Sequence, residues 1–543
     1  MSQIDAARQQ RVPSAEGESG PPVVPSPRAP ARSVDAAARP FDTAFLLLLL
    51  ATLTLQALLR STRGLWLDEA YTAILARRPW PGLLAALAHD NNPFLHFSLL
   101  HGWRAMFGET ELALRAPSLL FALGSTLLVH RFARRTFGLP AARLAAALWV
   151  LNPLTVFYAA EARCYALLGF AALAFLTAVW EPAAPPGRWR YALLACSLPL
   201  LLYAHNVGWL VAAATLGAAF MLRPRALLRW PTVVTLMVGA LAYLPWVPMF
   251  RRQLAGAELS SGWMRFFWSP WNPVFGLSAF TPFGREPAFV NVPSAPPPWW
   301  IPWLILWLLP VGWMLARRRA PEGESARFLA LGVALGLVAL VACSIALRPV
   351  YLPARHDFAF LAPFLLLVAA GVTALPARLG RACAAILVAV SLVGAIALQL
   401  EARSGGDRDW AAAVGEGAQA GDVVLCAGLT RPQAEYYLAG RGLTFLSFPA
   451  ALEAELSHLD FGWTAAALRP DAEAVVAAAV RLLAPGRRLW VIDSFSGADE
   501  ALREALASSA KLAGAPLPVA GLHLERIGAP VTLLRYVRRS RGG

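Results

Sequence analysis

Residues 65–71 read Leu-Trp-Leu-Asp-Glu-Ala-Tyr, with two adjacent carboxylates, Asp68 and Glu69, just after the first strongly apolar run of the chain. That run, residues 43–59, carries no charge, and its length suffices to cross a hydrocarbon core of ~30 Å. The carboxylate pair is therefore expected at a membrane face. Residues 90–97 then read Asp-Asn-Asn-Pro-Phe-Leu-His-Phe, an aromatic-rich segment closes on Phe107-Gly108, and residues 111–118 read Glu-Leu-Ala-Leu-Arg-Ala-Pro-Ser.

The rest of the composition agrees with a chain that lives in lipid. Of its 543 residues 57% are hydrophobic, 20 are Trp and only 15% are charged, and its mean hydropathy is +0.52, which excludes an ordinary soluble domain. In a soluble protein the net charge of +15 would suggest nucleic acid. Here the basic residues are nearly all Arg and cluster between apolar segments, so they read as topology signals facing anionic lipid, with no nucleic-acid partner. The five cysteines, Cys164, Cys196, Cys343, Cys383 and Cys426, show no metal or disulfide spacing and read as small buried hydrophobes.

Residues 1–40, rich in Pro, Ala, Ser, Gly and Arg, are expected to form a disordered cytoplasmic tail. No Ala-x-Ala site follows the first apolar run, so that run is an uncleaved anchor rather than a signal peptide. Further spans are expected near 115–133, 142–159, 164–180, 190–204, 206–222, 231–250, 299–316, 328–347, 358–375 and 383–400, about eleven with the first. Arg131, Arg134, Arg135 and Arg143, then Arg188 and Arg190, then Arg223, Arg225 and Arg229, then Arg317–Arg319, then Arg378 and Arg381 fill alternate loops. Those loops are assigned to the cytoplasm. An odd number of spans then puts the C-terminus outside, with the outer loops 60–114 and 251–298. The transmembrane domain is expected over 41–401. Beyond 402 apolar runs alternate with helical periodicity, as in a small α/β domain over 402–543. Its Asp493-Ser-Phe-Ser-Gly is not preceded by a Gly-rich phosphate loop; the domain is assigned a supporting or acceptor-docking role.

The order of the motifs, Asp68-Glu69, then Asp90-x-x-Pro93-x-Leu95, then an aromatic helix closing on Phe107-Gly108, then Arg115-x-Pro117-Ser118, resembles the first outer loop of the membrane-embedded GT-C glycosyltransferases. Within that fold it resembles the bacterial protein O-mannosyltransferase and aminoarabinose transferase-like group (glycosyltransferase family 39-like). The resemblance covers roughly residues 43–400. It implies a polytopic α-helical fold with juxtamembrane helices in the first outer loop, and transfer of a sugar from a polyprenyl-phosphate donor to a glycan, lipid or protein at the outer face of a bacterial inner membrane. The family usually reads Asp-x-His-Pro-Pro-Leu where this chain has Asp90-Asn91-Asn92-Pro93-Phe94-Leu95, so acceptor chemistry does not carry over.

Such a reaction needs a base near the nucleophile, cations on the leaving phosphate and an apolar slot for the lipid. The resemblance gives the catalytic place to Asp68. Glu69 is expected to act as a base or, with Asp68, to hold a divalent cation; the alternative is a solvated interfacial pair. Asp90 and Arg115 complete that loop. A second cluster, Glu161, Arg163 and Tyr165, lies at a junction of two spans, where charged residues are costly unless paired or functional; the family often has Arg-x-Tyr there. His205 stands where relatives carry Tyr-Thr-His. In the third, Arg355 and His356, the guanidinium fork suits two phosphate oxygens. Loop 251–298, with Trp263, Phe266, Phe267, Trp268 and Trp271, suits a lid over lipid. The competing class is a transporter or envelope scaffold with a partner-binding domain. A transporter should place its ionisable groups at mid-membrane depth, whereas these stand at span ends.

Overall fold

The computed structural model describes residues 32–180, 188–256, 262–282, 300–317, 320, 322–347, 349–401, 406–450, 464–493, 499–509, 512–516, 523–524, 529–530 and 532–538. The tail expected over 1–40 lies outside the described residues up to 31; from Arg32 the chain is helical. This first helix, α1 (Arg32–Arg60), begins in a run rich in Ala, a strong helix former, and continues through the apolar span. Three short helices fill the first outer loop: α2 (Leu67–Arg77), α3 (Trp80–Leu87) and α4 (Leu95–Phe107). Gly108 stops α4 at φ +82°, a left-handed conformation that glycine adopts without penalty. Thr110 caps the next helix, α5 (Glu111–Thr136), by accepting the Ala113 N–H at 3.2 Å.

Helices α6 (Leu139–Leu151) and α7 (Pro153–Ala159) meet at 61°. The break is built by Asn152, whose side-chain oxygen accepts the Leu154 N–H and whose amide donates to the Phe280 carbonyl, both at 2.9 Å. Then come α8 (Tyr165–Trp180), α9 (Arg188–Ala204) and α10 (Gly208–Leu222). Further helices cover Trp230–Leu241 and Val247–Ala255, Trp300–Ala316, Gly323–Ala346, Leu361–Thr373 and Ala377–Glu401. Every apolar segment expected to span the membrane is thus helical. Among the described residues five helices are long and apolar enough to cross a membrane and the bent α6–α7 pair makes a sixth; α8, α10, Trp303–Ala316 and Phe358–Thr373 are shorter apolar helices.

Several arginine-bearing helix ends are held by neighbouring helices. Arg223, at the end of α10, pairs with Glu324 and lies 4.0 Å over the ring of Trp180, which closes α8. Trp180 stacks on Phe328 at 4.1 Å and donates to Ser325. Arg190 of α9 donates to the Ala178 carbonyl, and Arg317 to that of Ala374. At the opposite ends of α8, α9 and helix Leu361–Thr373 stand the junctions with Arg163, His205 and Arg355.

Beyond Glu401 lies a five-stranded sheet. Strand β1 (Val423–Ala427) pairs in parallel with β2 (Thr444–Phe448) and β3 (Arg488–Asp493). After β3 come β4 (Leu512–Pro516), β5 (His523–Leu524), β6 (Ala529–Pro530) and β7 (Thr532–Arg538); β7 joins β3 and β4 antiparallel, and β5–β6 forms a separate pair. The sheet order is β2-β1-β3-β7-β4. Alternate residues of β1 serve opposite faces: Val423, Leu425 and Ala427 pack with helices Ala465–Leu482 and Asp499–Ser508, Val424 and Cys426 with helices Gly406–Gly417 and Arg431–Tyr437. Cover on both faces explains the continuous apolar run Val-Val-Leu-Cys-Ala. The Asp493-Ser-Phe-Ser-Gly stretch is outside the described residues after Asp493, which is buried and paired with Arg503 at 2.7 Å.

Candidate active site

Asp68 and Glu69, adjacent in sequence, face different surroundings because successive residues on a helix point about 100° apart. Glu69 turns inward and is fully buried. Its two oxygens accept from Arg115 Nε and Nη2 at 2.8 and 2.6 Å, and Oε1 also takes the Ala162 N–H at 2.8 Å. Arg115, 1% exposed, spends its other N–H groups on the carbonyls of Ser61, Arg63 and Gly64. Burial alone would push the Glu69 carboxyl up; Arg115 and the Ala162 N–H outweigh it and hold the group below the usual carboxylate range. This pair pins the link between α1 and α2 to α5 and the 160–164 junction.

Asp68 points the other way, into a cavity of about 320 Å³, within the size range of small-molecule sites. Arg163 Nη2 stands 3.5 Å and Arg355 Nη1 3.7 Å from its Oδ2, looser than the ~2.8 Å of a closed charge-assisted contact. Arg163 is steadied by the Thr72 hydroxyl at 3.1 Å, one turn beyond Asp68. The Arg355 guanidinium lies 5.3 Å from the Trp66 ring centroid.

The same cavity is lined by Asp90, Tyr165, His205 and His356. Asp90 Oδ1 accepts from the Asn92 backbone and side chain at 2.7 and 3.0 Å. His205 lies between the rings of Tyr165 and His356, with centroids at 5.8 and 5.4 Å. Its Nδ1 accepts the Val207 N–H at 3.1 Å, which leaves the proton on Nε2. Burial holds both imidazoles below the usual range, His356 to about 4, so at neutral pH they act as neutral hydrogen-bonding groups. The remaining wall is largely apolar: Val207, Trp209, Phe250, Met264, Leu347 and Leu352 among others.

Seven of the ten candidate residues thus share one cavity: Asp68, Asp90, Arg163, Tyr165, His205, Arg355 and His356. Glu69, Arg115 and Glu161 are buried and do not line it. Nor does the Asp68–Glu69 pair fit a shared divalent cation, because both Glu69 oxygens are committed to Arg115 and guanidinium groups flank Asp68. Among the described residues no group of three or more His, Cys, Asp or Glu converges to hold a metal.

Sequence reasoning did not assign Tyr71, Asn91, Asn92, Asn206 or Gln253 to the site, yet all line it. Gln253 donates to the Leu87 and Asn92 carbonyls at 2.8 and 2.9 Å, and Asn206 to that of Asn91 at 2.8 Å. The usable signal was a single Gln just past an apolar span, in Phe-Arg-Arg-Gln-Leu. Within loop 251–298, Gln253 and Met264 reach the cavity while Trp271 is exposed; residues 257–261 and 283–298 and the side chains of Trp263 and Phe266 lie outside the described residues.

No protein-family model matches the sequence, and no curated protein matches it. Solved structures do. ArnT, the aminoarabinose transferase of Cupriavidus metallidurans, superimposes in its apo state with a TM-score of 0.59 at 13% identity, covering 92% of this chain and 98% of ArnT. ArnT bound to undecaprenyl phosphate gives 0.58 at 13% identity, covering 91% and 98%. The chain therefore has the fold of the GT-C membrane glycosyltransferases, with a C-terminal domain after the helical one.

Proposed function

We propose that this multi-pass membrane protein is a glycosyltransferase that moves a sugar from a polyprenyl-phosphate donor to an acceptor at the outer face of the bacterial inner membrane. The observation that carries the reading is one cavity with a carboxylate beside two guanidinium groups and largely apolar walls elsewhere. Asp68 takes the proton of the acceptor nucleophile as that atom attacks the anomeric carbon. The bond from that carbon to the phosphate oxygen breaks, and its electron pair leaves on the polyprenyl phosphate. Arg163 and Arg355 receive the negative phosphate oxygens, which also relieves their lean on Asp68. Tyr165 and the two neutral imidazoles supply hydrogen bonds to sugar hydroxyls. That one of the similar structures holds undecaprenyl phosphate supports a lipid donor, and candidate charges at helix ends on one side favour an interfacial enzyme over a transporter.

The test is donor use by Arg355→Lys, since Lys keeps the charge and loses the planar two-point grip. Loss of one charge-assisted hydrogen bond, about 1.5 kcal/mol, should raise the KM for the lipid donor roughly tenfold. A variant that uses donor as well as the parent does would leave Arg355 an interfacial anchor.

In this reading residues 41–401 form the transmembrane domain, the N-terminus is cytoplasmic and the domain 402–543 is periplasmic. Alkaline phosphatase fused after residue 543 should be active, and β-galactosidase there inactive. The reverse pair would place the cavity's mouth in the cytoplasm.

A further inference from the structure

The C-terminal domain reaches the loop that carries Asp68. An α-helix leaves its first N–H groups without partners inside the helix, and Asp68 is the second residue of α2. The Leu65 N–H donates to the Tyr437 hydroxyl at 2.6 Å, and that hydroxyl donates to Glu111 Oε1 at 2.6 Å. Arg408 pairs with the same Glu111 carboxylate. Gln433, fully buried, has its amide beside the Leu67 N–H and the Leu429 carbonyl; assigned with its oxygen toward Leu67, the orientation that satisfies both groups, it accepts that N–H at 3.0 Å and donates to the carbonyl at 3.1 Å. Tyr436 donates to the Glu109 carbonyl at 2.5 Å and lies under the Arg77 guanidinium. The approach is close: a Cβ on Gly64 would come within 3.0 Å of the Arg408 backbone nitrogen and 3.1 Å of the Tyr437 hydroxyl.

We propose that Tyr437 and Gln433 are positioning residues for Asp68: the C-terminal domain caps the start of α2 and sets the carboxylate against Arg163 and Arg355. The proposal rests on the sugar-transfer reading. Two backbone donors just before Asp68, at Leu65 and Leu67, meet acceptors in the C-terminal domain, so the domain completes the site rather than covering it. Without those acceptors the first turn of α2 frays, and Asp68, in that turn, loses its fixed place in the cavity.

The test uses the full chain in nanodiscs, with Tyr437→Phe and Gln433→Leu. Amide exchange over residues 64–70 should speed up about tenfold while residues 165–180 keep parental exchange. Turnover with an undecaprenyl-phosphate sugar should fall about tenfold at unchanged KM for that donor. In an Asp68→Asn background the same substitutions should cause no further loss, because their effect passes through Asp68. Parental exchange at 64–70, parental turnover despite faster exchange, or an undiminished further loss in the Asp68→Asn background would each overturn the positioning role. A parent inactive with every lipid-phosphate sugar would overturn the transfer reading instead, whatever the exchange shows.

Discussion

Asp68→Asn is expected to lower sugar-transfer turnover by about 10²- to 10⁴-fold, the usual contribution of a positioned base, with insertion and thermal stability close to the parent's. The change keeps the shape of the side chain and removes the charge that, in the proposed reaction, accepts the nucleophile's proton. Folding should tolerate it because the side chain is 22% exposed in the cavity and its cation contacts are long, at 3.5 and 3.7 Å. Membrane preparations of parent and variant, matched for folded protein and assayed for acceptor glycosylation, check this. Parental turnover in the variant would remove Asp68 from the chemistry.

Glu69→Gln should do the opposite. Breaking a buried pair leaves an uncompensated charge, here Arg115, at a cost of about 3–5 kcal/mol. The apparent melting temperature of the solubilised protein should fall by more than about 5 °C. The protein that does fold should keep turnover within about 10²-fold, the lower limit for losing a base. Arg115→Met should destabilise comparably by orphaning Glu69. Melting curves with turnover per folded molecule separate the roles: unchanged melting with lost turnover would make Glu69 the reacting carboxylate.

The contrast between these neighbours marks where the sequence stops informing. Composition and motif order point to both carboxylates, and nothing in Leu-Trp-Leu-Asp-Glu-Ala-Tyr says which one faces inward. That depends on the partner across 46 positions, Arg115, and on a backbone N–H at Ala162 that no side-chain pattern encodes. The helical layout was legible because apolar segments of membrane length and arginines in alternate loops are strong local signals; the break at His205 falls between two expected spans, whereas the bend at Asn152 interrupts the span expected over 142–159. The strands β1, β2, β3 and β7 were legible as short apolar runs rich in β-branched and aromatic residues. Helix Gly406–Gly417 and strand β4 were not: one is bracketed by glycines and the other, Leu-Ala-Gly-Ala-Pro, lacks β-branched residues. Gln253 and Asn206 were missed because their work is to hold loop carbonyls, a task set by tertiary approach. The cap from Tyr437 and Gln433 joins residues more than 360 positions apart and could only be seen in the fold.

In the proposed reaction one cavity joins a base, a phosphate clamp and a lipid slot. That reaction is tested most directly by incubating the purified chain in nanodiscs with a panel of undecaprenyl-phosphate sugars and an envelope extract as acceptor, and measuring release of undecaprenyl phosphate. Acceptor-dependent release from at least one donor is expected, reduced about 10²- to 10⁴-fold by Asp68→Asn. No release from any donor, or equal release by Asp68→Asn, would contradict it.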